Sequence, residues 1–190
     1  MKAITPKALL KDLRELNEAA RQVNSALVLL YWRVGKRIRQ DILKEKRAEY
    51  GEQILPTVSA ELMEEFGSGF TARNLANMMR FAEVFPDEKI LHTLCAKLSW
   101  SHFRLIIYLD DELKRDFYAE MCRIEGWSVR TLEKKISGML FERTALSKKP
   151  EKLIREELDA LRAEDKLTPY LVFRDPQKYS KGLGSSTDGY

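Results

Sequence analysis

"GSGFTARNLANMMRFAEVF", residues Gly67 to Phe85, decides how this chain is read. Upstream, Leu55, Val58, Leu62 and Phe66 form a helical stripe that runs into Gly67 and Gly69. Glycine takes the left-handed conformation that ends a helix without steric cost, so a stop is predicted there. Thr71 then suits an N-cap. Leu75, Met78, Ala82 and Phe85 follow on one face, and Pro86 prevents continuation. The segment 54–85 therefore reads as helix, tight turn, helix.

The second of these helices carries Arg73, Asn77 and Arg80 at spacings of four and three, with Asn74 at their border. A helix-turn-helix lays its second helix in the major groove and offers a few polar side chains to base edges. Arginine pairs bidentately with guanine and asparagine with adenine, each good pair giving about 1–3 kcal/mol of discrimination. The same spacing also suits the wet face of an ordinary helix, so both readings stand. Arg130 and Lys134, with Arg143 beyond them, form a second basic side suited to phosphates, diluted by Glu133 and Glu142.

Towards the N-terminus, Leu9, Leu13, Leu16, Ala20, Val23, Leu27, Leu30 and Val34 alternate in steps of four and three, which is a heptad seam. Gly35 interrupts it, and Ile38 and Ile42 resume a stripe, as one helix or two collinear ones would allow. Such a seam serves either as the core face of a bundle helix or as a dimerisation coiled coil.

Towards the C-terminus, Ser99 is a predicted N-cap for a helix with Trp100, Phe103 and Ile107 inward, and another runs through Leu113, Phe117, Met121 and Ile124 to Gly126. Ser128 opens a helix whose stripe is Val129, Leu132, Ile136 and Leu140, expected to reach Arg143. A helix through Leu153, Leu158 and Leu161 follows, then a Gly/Ser-rich tail expected to be disordered. "YLVF", residues 170–173, is the lone strand candidate. The expected fold is all-α: a helical bundle with a helix-turn-helix-like unit and a long N-terminal helix.

Composition limits the function classes. With 190 residues the chain can bury a real core without metals or disulfides. The net charge of +4, from 33 basic and 29 acidic residues, implies a nucleic-acid partner only where the excess is clustered. Cys95 and Cys122 sit in apolar helical patterns without a CxxC or Cys/His cluster and read as buried structural thiols. The charged N-terminus lacks a signal-peptide core and "ALVLLYW" is too short to cross a bilayer, so a cytoplasmic protein is expected. His92 and His102 lack a ligand partner at helical spacing, and no phosphate-cradling loop follows a strand. "EKK" at Glu133–Lys135 lacks the strand context of a nuclease signature. No catalytic residue, metal ligand, cofactor or small-molecule substrate is expected.

The ordered segments "YWRVGKRI", "EYGEQILPTVSAELMEEFGSGFTARNLANMMRFAEVFP", "LSWSHFRLII" and "RDFYAEMCRIEGWSVRTLEKKISGMLFER" resemble the N-terminal region of the YhcG-like proteins, bacterial members of the PD-(D/E)XK nuclease superfamily. The resemblance covers roughly Ala20 to Pro176. It implies a helical domain that precedes a nuclease domain in full-length relatives and helps it engage DNA. It also implies that "LTPYLVFRDP" leads towards that domain, whereas here a polar tail follows, so the strand-borne Asp, Glu and Lys that would together bind Mg²⁺ and activate water are not expected in this chain.

The expected organisation is a helical domain over 1–149, a linker and short helix over 150–176, and a tail over 177–190. Two functions are carried forward. One is a DNA-binding or DNA-positioning module acting on double-stranded DNA through Arg73, Asn74, Asn77, Arg80, Arg130 and Lys134. The other is a dimerisation or protein-interaction module of a defence or DNA-processing complex, with a homodimer formed through the Leu9–Val34 helix.

Overall fold

Helical periodicity governs the whole described chain. The computed structural model describes residues 7–45, 48–144 and 149–164. They form α1 (Lys7–Glu45), α2 (Ala48–Phe66), a 3-10 turn (Ser68–Phe70), α3 (Ala72–Val84), α4 (Glu88–Cys95), α5 (Trp100–Ile106), α6 (Glu112–Glu125), α7 (Val129–Ser137) and α8 (Glu151–Glu164). No strand occurs among the described residues, so the fold is all-α with a long N-terminal helix. "YLVF" and the tail lie outside the described residues.

The caps follow from side-chain chemistry. Thr71 Oγ1 accepts from the Asn74 backbone N–H at 3.3 Å and opens α3. Asp87 and Asp111 each accept a 2.7 Å bond from the backbone two residues on, opening α4 and α6. Ser99 and His102 form a capping box at the start of α5. Gly126, with φ 63°, ends α6 in the left-handed conformation.

Two elements depart from the sequence reading, and the choice left open at Gly35 falls to one helix: α1 runs through it as 39 residues. Upstream of α3, α2 begins at Ala48, earlier than its apolar stripe, and contains Pro56, which cannot donate to the carbonyl one turn before. Finally α7 stops at Ser137 and does not reach Arg143. The Ser137 hydroxyl donates to the Glu133 carbonyl at 2.9 Å, and Met139 adopts φ 49°. The Leu140 N–H then returns to the Lys135 carbonyl at 3.1 Å, closing the helix as a Schellman turn.

The chain divides into two compact units between Leu132 and Glu133. In the first, Ile38 of α1 and Leu75 and Met78 of α3 form a core joined by Tyr31, Val34, Leu55, Val58, Leu62, Phe70 and Trp100. Phe81, Phe85 and Phe103 stack beside it, with centroids 4.6–5.7 Å apart. The Trp32 indole N–H donates to the Phe85 carbonyl at 2.8 Å. Asn24 and Ser25 bond to the Leu98 and Cys95 carbonyls at 3.1 and 2.8 Å, which ties the middle of α1 to the end of α4 and the turn after it.

Apart from Val34, the heptad seam does not join this core. The buried face of α1 is Val28, Trp32, Gly35 and Ile38, whereas Leu9, Leu13, Leu16, Val23, Leu27 and Leu30 are all exposed. Seam and core face are different sides of one helix, roughly 110° apart at 100° per residue.

In the second unit, α8 buries Ile154, Leu158 and Leu161, while Leu153 is exposed. Its stripe is therefore set by Ile154 and not by Leu153. Lys149 and Glu157 pair at 3.5 Å in this unit.

Candidate functional site

The polar side of α3 is mostly occupied by the protein itself. Arg73 is exposed, as expected. Asn74 is half-buried, and both ends of its amide are engaged: Nδ2 donates to the Gly69 carbonyl at 2.6 Å and Oδ1 accepts from the Trp100 indole at 3.1 Å. Asn77 is only 3% exposed, and its Oδ1 accepts from the Tyr108 hydroxyl. Arg80 donates from Nε to the Ile107 carbonyl at 2.6 Å, and its guanidinium stands over the Tyr108 ring at 5.3 Å.

The expectation that Arg73, Asn77 and Arg80 share one solvent-facing side is thus corrected at Asn77. The buried set of α3 is Leu75, Asn77, Met78 and Phe81, wider than the stripe of Leu75, Met78, Ala82 and Phe85. The cause is that α1, α2 and α5 all pack on α3, so more than one face is covered. A base-reading helix needs its polar amides free for base edges. Here the two asparagines hold α3 to the 3-10 turn, to α5 and to the residues after α5.

The second basic side is open. Arg130 and Lys134 lie four residues apart on α7 and both are exposed.

His102 is a structural residue. Its Nδ1 accepts the Ser99 backbone N–H at 3.1 Å and its Nε2 lies 2.9 Å from the Trp127 carbonyl. Nε2 therefore carries the proton. His92 is exposed at 4.0 Å from Glu88. No group of His, Cys, Asp and Glu suited to a metal occurs among the described residues. Burial raises both the Cys95 and the Cys122 thiol to about 12, so neither is a nucleophile near neutral pH. An open cleft of about 510 Å³ lies beside α1, lined by Gln22, Ser25, Leu29, Ala96 and Lys97 among others. Glu18 is its one carboxylate, so its walls offer no acid/base pair.

An exposed apolar surface lies on α1. Every residue from Lys7 to Val23 is exposed over a stretch of about 25 Å, with Glu18, Arg21 and Gln22 lining the cleft beside Ala96 and Lys97. On it Leu9, Leu13, Leu16 and Val23 are 50%, 53%, 68% and 69% exposed. The seam continues over Leu27 and Leu30, at 40% and 47%, where the opposite flank of the helix is anchored. Two residues that seam spacing alone leaves out adjoin it: Leu10, 37% exposed, and Phe66, 63% exposed. Leu10 follows a seam position directly and was legible as a flanking heptad site. Phe66 reaches the seam only through the stack Tyr31–Phe70–Phe66, with centroids 6.2 and 5.8 Å apart, which no spacing reveals. No helix among the described residues is long and apolar enough to cross a membrane.

Comparison with known proteins adds three findings. The family described as the DUF1016 N-terminal domain matches residues 7–143. The chain is 29% identical over 189 residues to the Escherichia coli (strain K12) protein named "Putative nuclease YhcG". That alignment covers 84% of this chain and 50% of the relative, so the chain spans about half the length of the protein it resembles. No solved structure matches.

Proposed function

The chain belongs to the DUF1016 N-terminal domain family, and from that premise we propose that it is a helical assembly module of a nuclease-related protein, pairing two copies through the Leu9–Val34 seam. The observation that carries this reading is the exposure of the heptad leucines on an arm of α1 whose seam no neighbour covers among the described residues. Helices in water owe most of their stability to tertiary packing of an apolar face, and the apolar face of this 17-residue arm stays exposed among the described residues. A second α1 supplies the missing packing, and the steps of four and three are those a coiled-coil partner requires.

The test is the mass of the full chain by light scattering over a range of concentrations, beside Leu13→Glu/Leu16→Glu. The parent is expected to be a dimer and the variant a folded monomer. A monomeric parent at high micromolar concentration ends this reading.

A second reading, DNA positioning, is favoured by the exposed Arg73, Arg130 and Lys134 and by the nuclease named among the relatives. With Asn77 buried, such contacts would go to phosphates and not to bases. Binding would then fall steeply with salt as counterions are released, and would vary little with sequence. Fluorescence anisotropy of two unrelated duplexes at low and physiological salt, with Arg130→Ala/Lys134→Ala alongside, tests this. Salt-insensitive or sequence-selective binding would count against it.

A further inference from the structure

The seam of α1 has two unlike halves. From Lys7 to Val23 every residue of the helix is exposed. From Asn24 onward it is held by Asn24 and Ser25 bonding to the Leu98 and Cys95 carbonyls and by the buried Val28, Trp32 and Ile38. Leu27 and Leu30 nevertheless stay exposed on this supported half. We propose that two copies pair antiparallel and reciprocally, each bare arm lying along the supported Leu27–Val34 stretch of its partner, with Asp12 against the partner's Arg33. This rests on the assembly reading and adds the orientation and the contacts.

Packing along the seam favours that orientation. Antiparallel pairing centred between Arg21 and Gln22 sets Leu13 against the partner's Leu30 and Leu16 against the partner's Leu27. It also sets Ala20 against the partner's Val23. A parallel pair would stack Ala20 on the partner's Ala20 and leave a thin layer with a void, which core packing penalises. In the antiparallel pair the turns carrying Leu13 and Leu16 meet supported ones, and Ala20 meets the partner's Val23. In a parallel pair the bare arms would meet only each other.

The flanking positions agree. In a heptad with Leu9, Leu16, Val23 and Leu30 at d, the g sites are Asp12, Ala19, Ala26 and Arg33 and the e sites Leu10, Asn17, Asn24 and Tyr31. A parallel pair would face Asp12 with the partner's Asn17, and Arg33 with the partner's Ile38, which is buried. Neither charge gains a counterpart. An antiparallel pair faces g with g and e with e, bringing Asp12 to the partner's Arg33 twice and Ala19 to the partner's Ala26. It also brings Leu10 to the partner's Tyr31, the first ring of the ridge that continues through Phe70 to the exposed Phe66. The Arg33 side chain is 63% exposed and its present partner is Glu88 at 3.1 Å, so it is within reach of a second carboxylate.

Disulfide trapping in the full chain reads the orientation, since Cys95 and Cys122 are buried and unreactive. Leu13→Cys and Leu30→Cys chains are mixed, oxidised and compared with each chain alone. The mixture is expected to cross-link at least about tenfold faster than either single variant, because only an antiparallel pair brings these positions within disulfide range. Fast cross-linking of Leu13→Cys with itself overturns the orientation while leaving assembly intact. A monomeric mass with no cross-link in any mixture overturns both. As a second readout, Asp12→Arg is expected to weaken the dimer roughly tenfold through two lost pairs, and Asp12→Arg/Arg33→Asp to recover to within about threefold. A double variant no tighter than the single removes the Asp12–Arg33 contact.

Discussion

Gly35 of α1 lies so close to Met78 of α3 that a Cβ on the glycine would stand 1.9 Å from the Met78 carbonyl oxygen and 2.2 Å from its carbon. The two helices cross backbone to backbone at this point. Glycine inside a helix costs about 1 kcal/mol relative to alanine, and here the close crossing offsets it.

Gly35→Ala is therefore expected to destabilise the fold although it improves helix propensity. The clash is with backbone and not with the end of a flexible side chain, so the helices must separate. Overpacking of this kind costs about 1–3 kcal/mol or more. Urea denaturation of the parent and the variant measures it, and an equal or higher midpoint for the variant would refute the close crossing.

Asn77 is expected to matter for stability whatever the chain binds. Asn77→Ala removes the acceptor for Tyr108 and leaves a cavity, at a cost of about 1–3 kcal/mol, whereas Tyr108→Phe leaves Asn77 short of one partner and costs about 1 kcal/mol. The double variant should cost less than the sum of the two, because the lost bond is shared. Strictly additive losses would show that the pair does not act as one unit.

The bare arm predicts concentration-dependent helicity. Diluting the parent below its dimer constant should reduce far-UV helical signal by an amount matching residues 7–23, while near-UV signal from the aromatic core is retained. Leu13→Glu/Leu16→Glu should show the diluted spectrum at every concentration. Loss of the near-UV signal in that variant would mean that the arm also supports the body.

The two cysteines predict an alkaline loss of stability. Each thiol releases its proton near pH 9.0 in the unfolded chain and holds it to about 12 in the folded one, because burial disfavours the thiolate. The folded state binds more protons in that window, so stability falls as pH rises through it, by up to about 1.4 kcal/mol per pH unit for each thiol. Urea midpoints at pH 8.5 and 10.5 should fall more steeply in the parent than in Cys95→Ala/Cys122→Ala. Parallel slopes would indicate that neither thiol is protected.

Much of the architecture was legible locally. Thr71, Ser99 and Gly126 act as the caps that their residue types suggest, because capping is settled within one turn of the chain. The end of α7 was not legible, since its close at Met139 uses a left-handed conformation uncommon for a side chain of that kind. Phe81 was left out of the α3 stripe and Asn77 was taken as wet, because periodicity locates one apolar face and cannot count how many neighbours surround a helix.

What the sequence by itself determined is the all-α class, the helices other than α4, most of their ends and the heptad register of α1, since all of these arise from interactions within a few residues. Only the tertiary structure decided that Gly35 is a crossing point, that Asn77 is a buried acceptor and that the seam leucines face solvent. Those outcomes depend on which helix packs where. That is settled by burying the Val28–Trp32–Ile38 face of α1, which leaves the seam for another surface to cover.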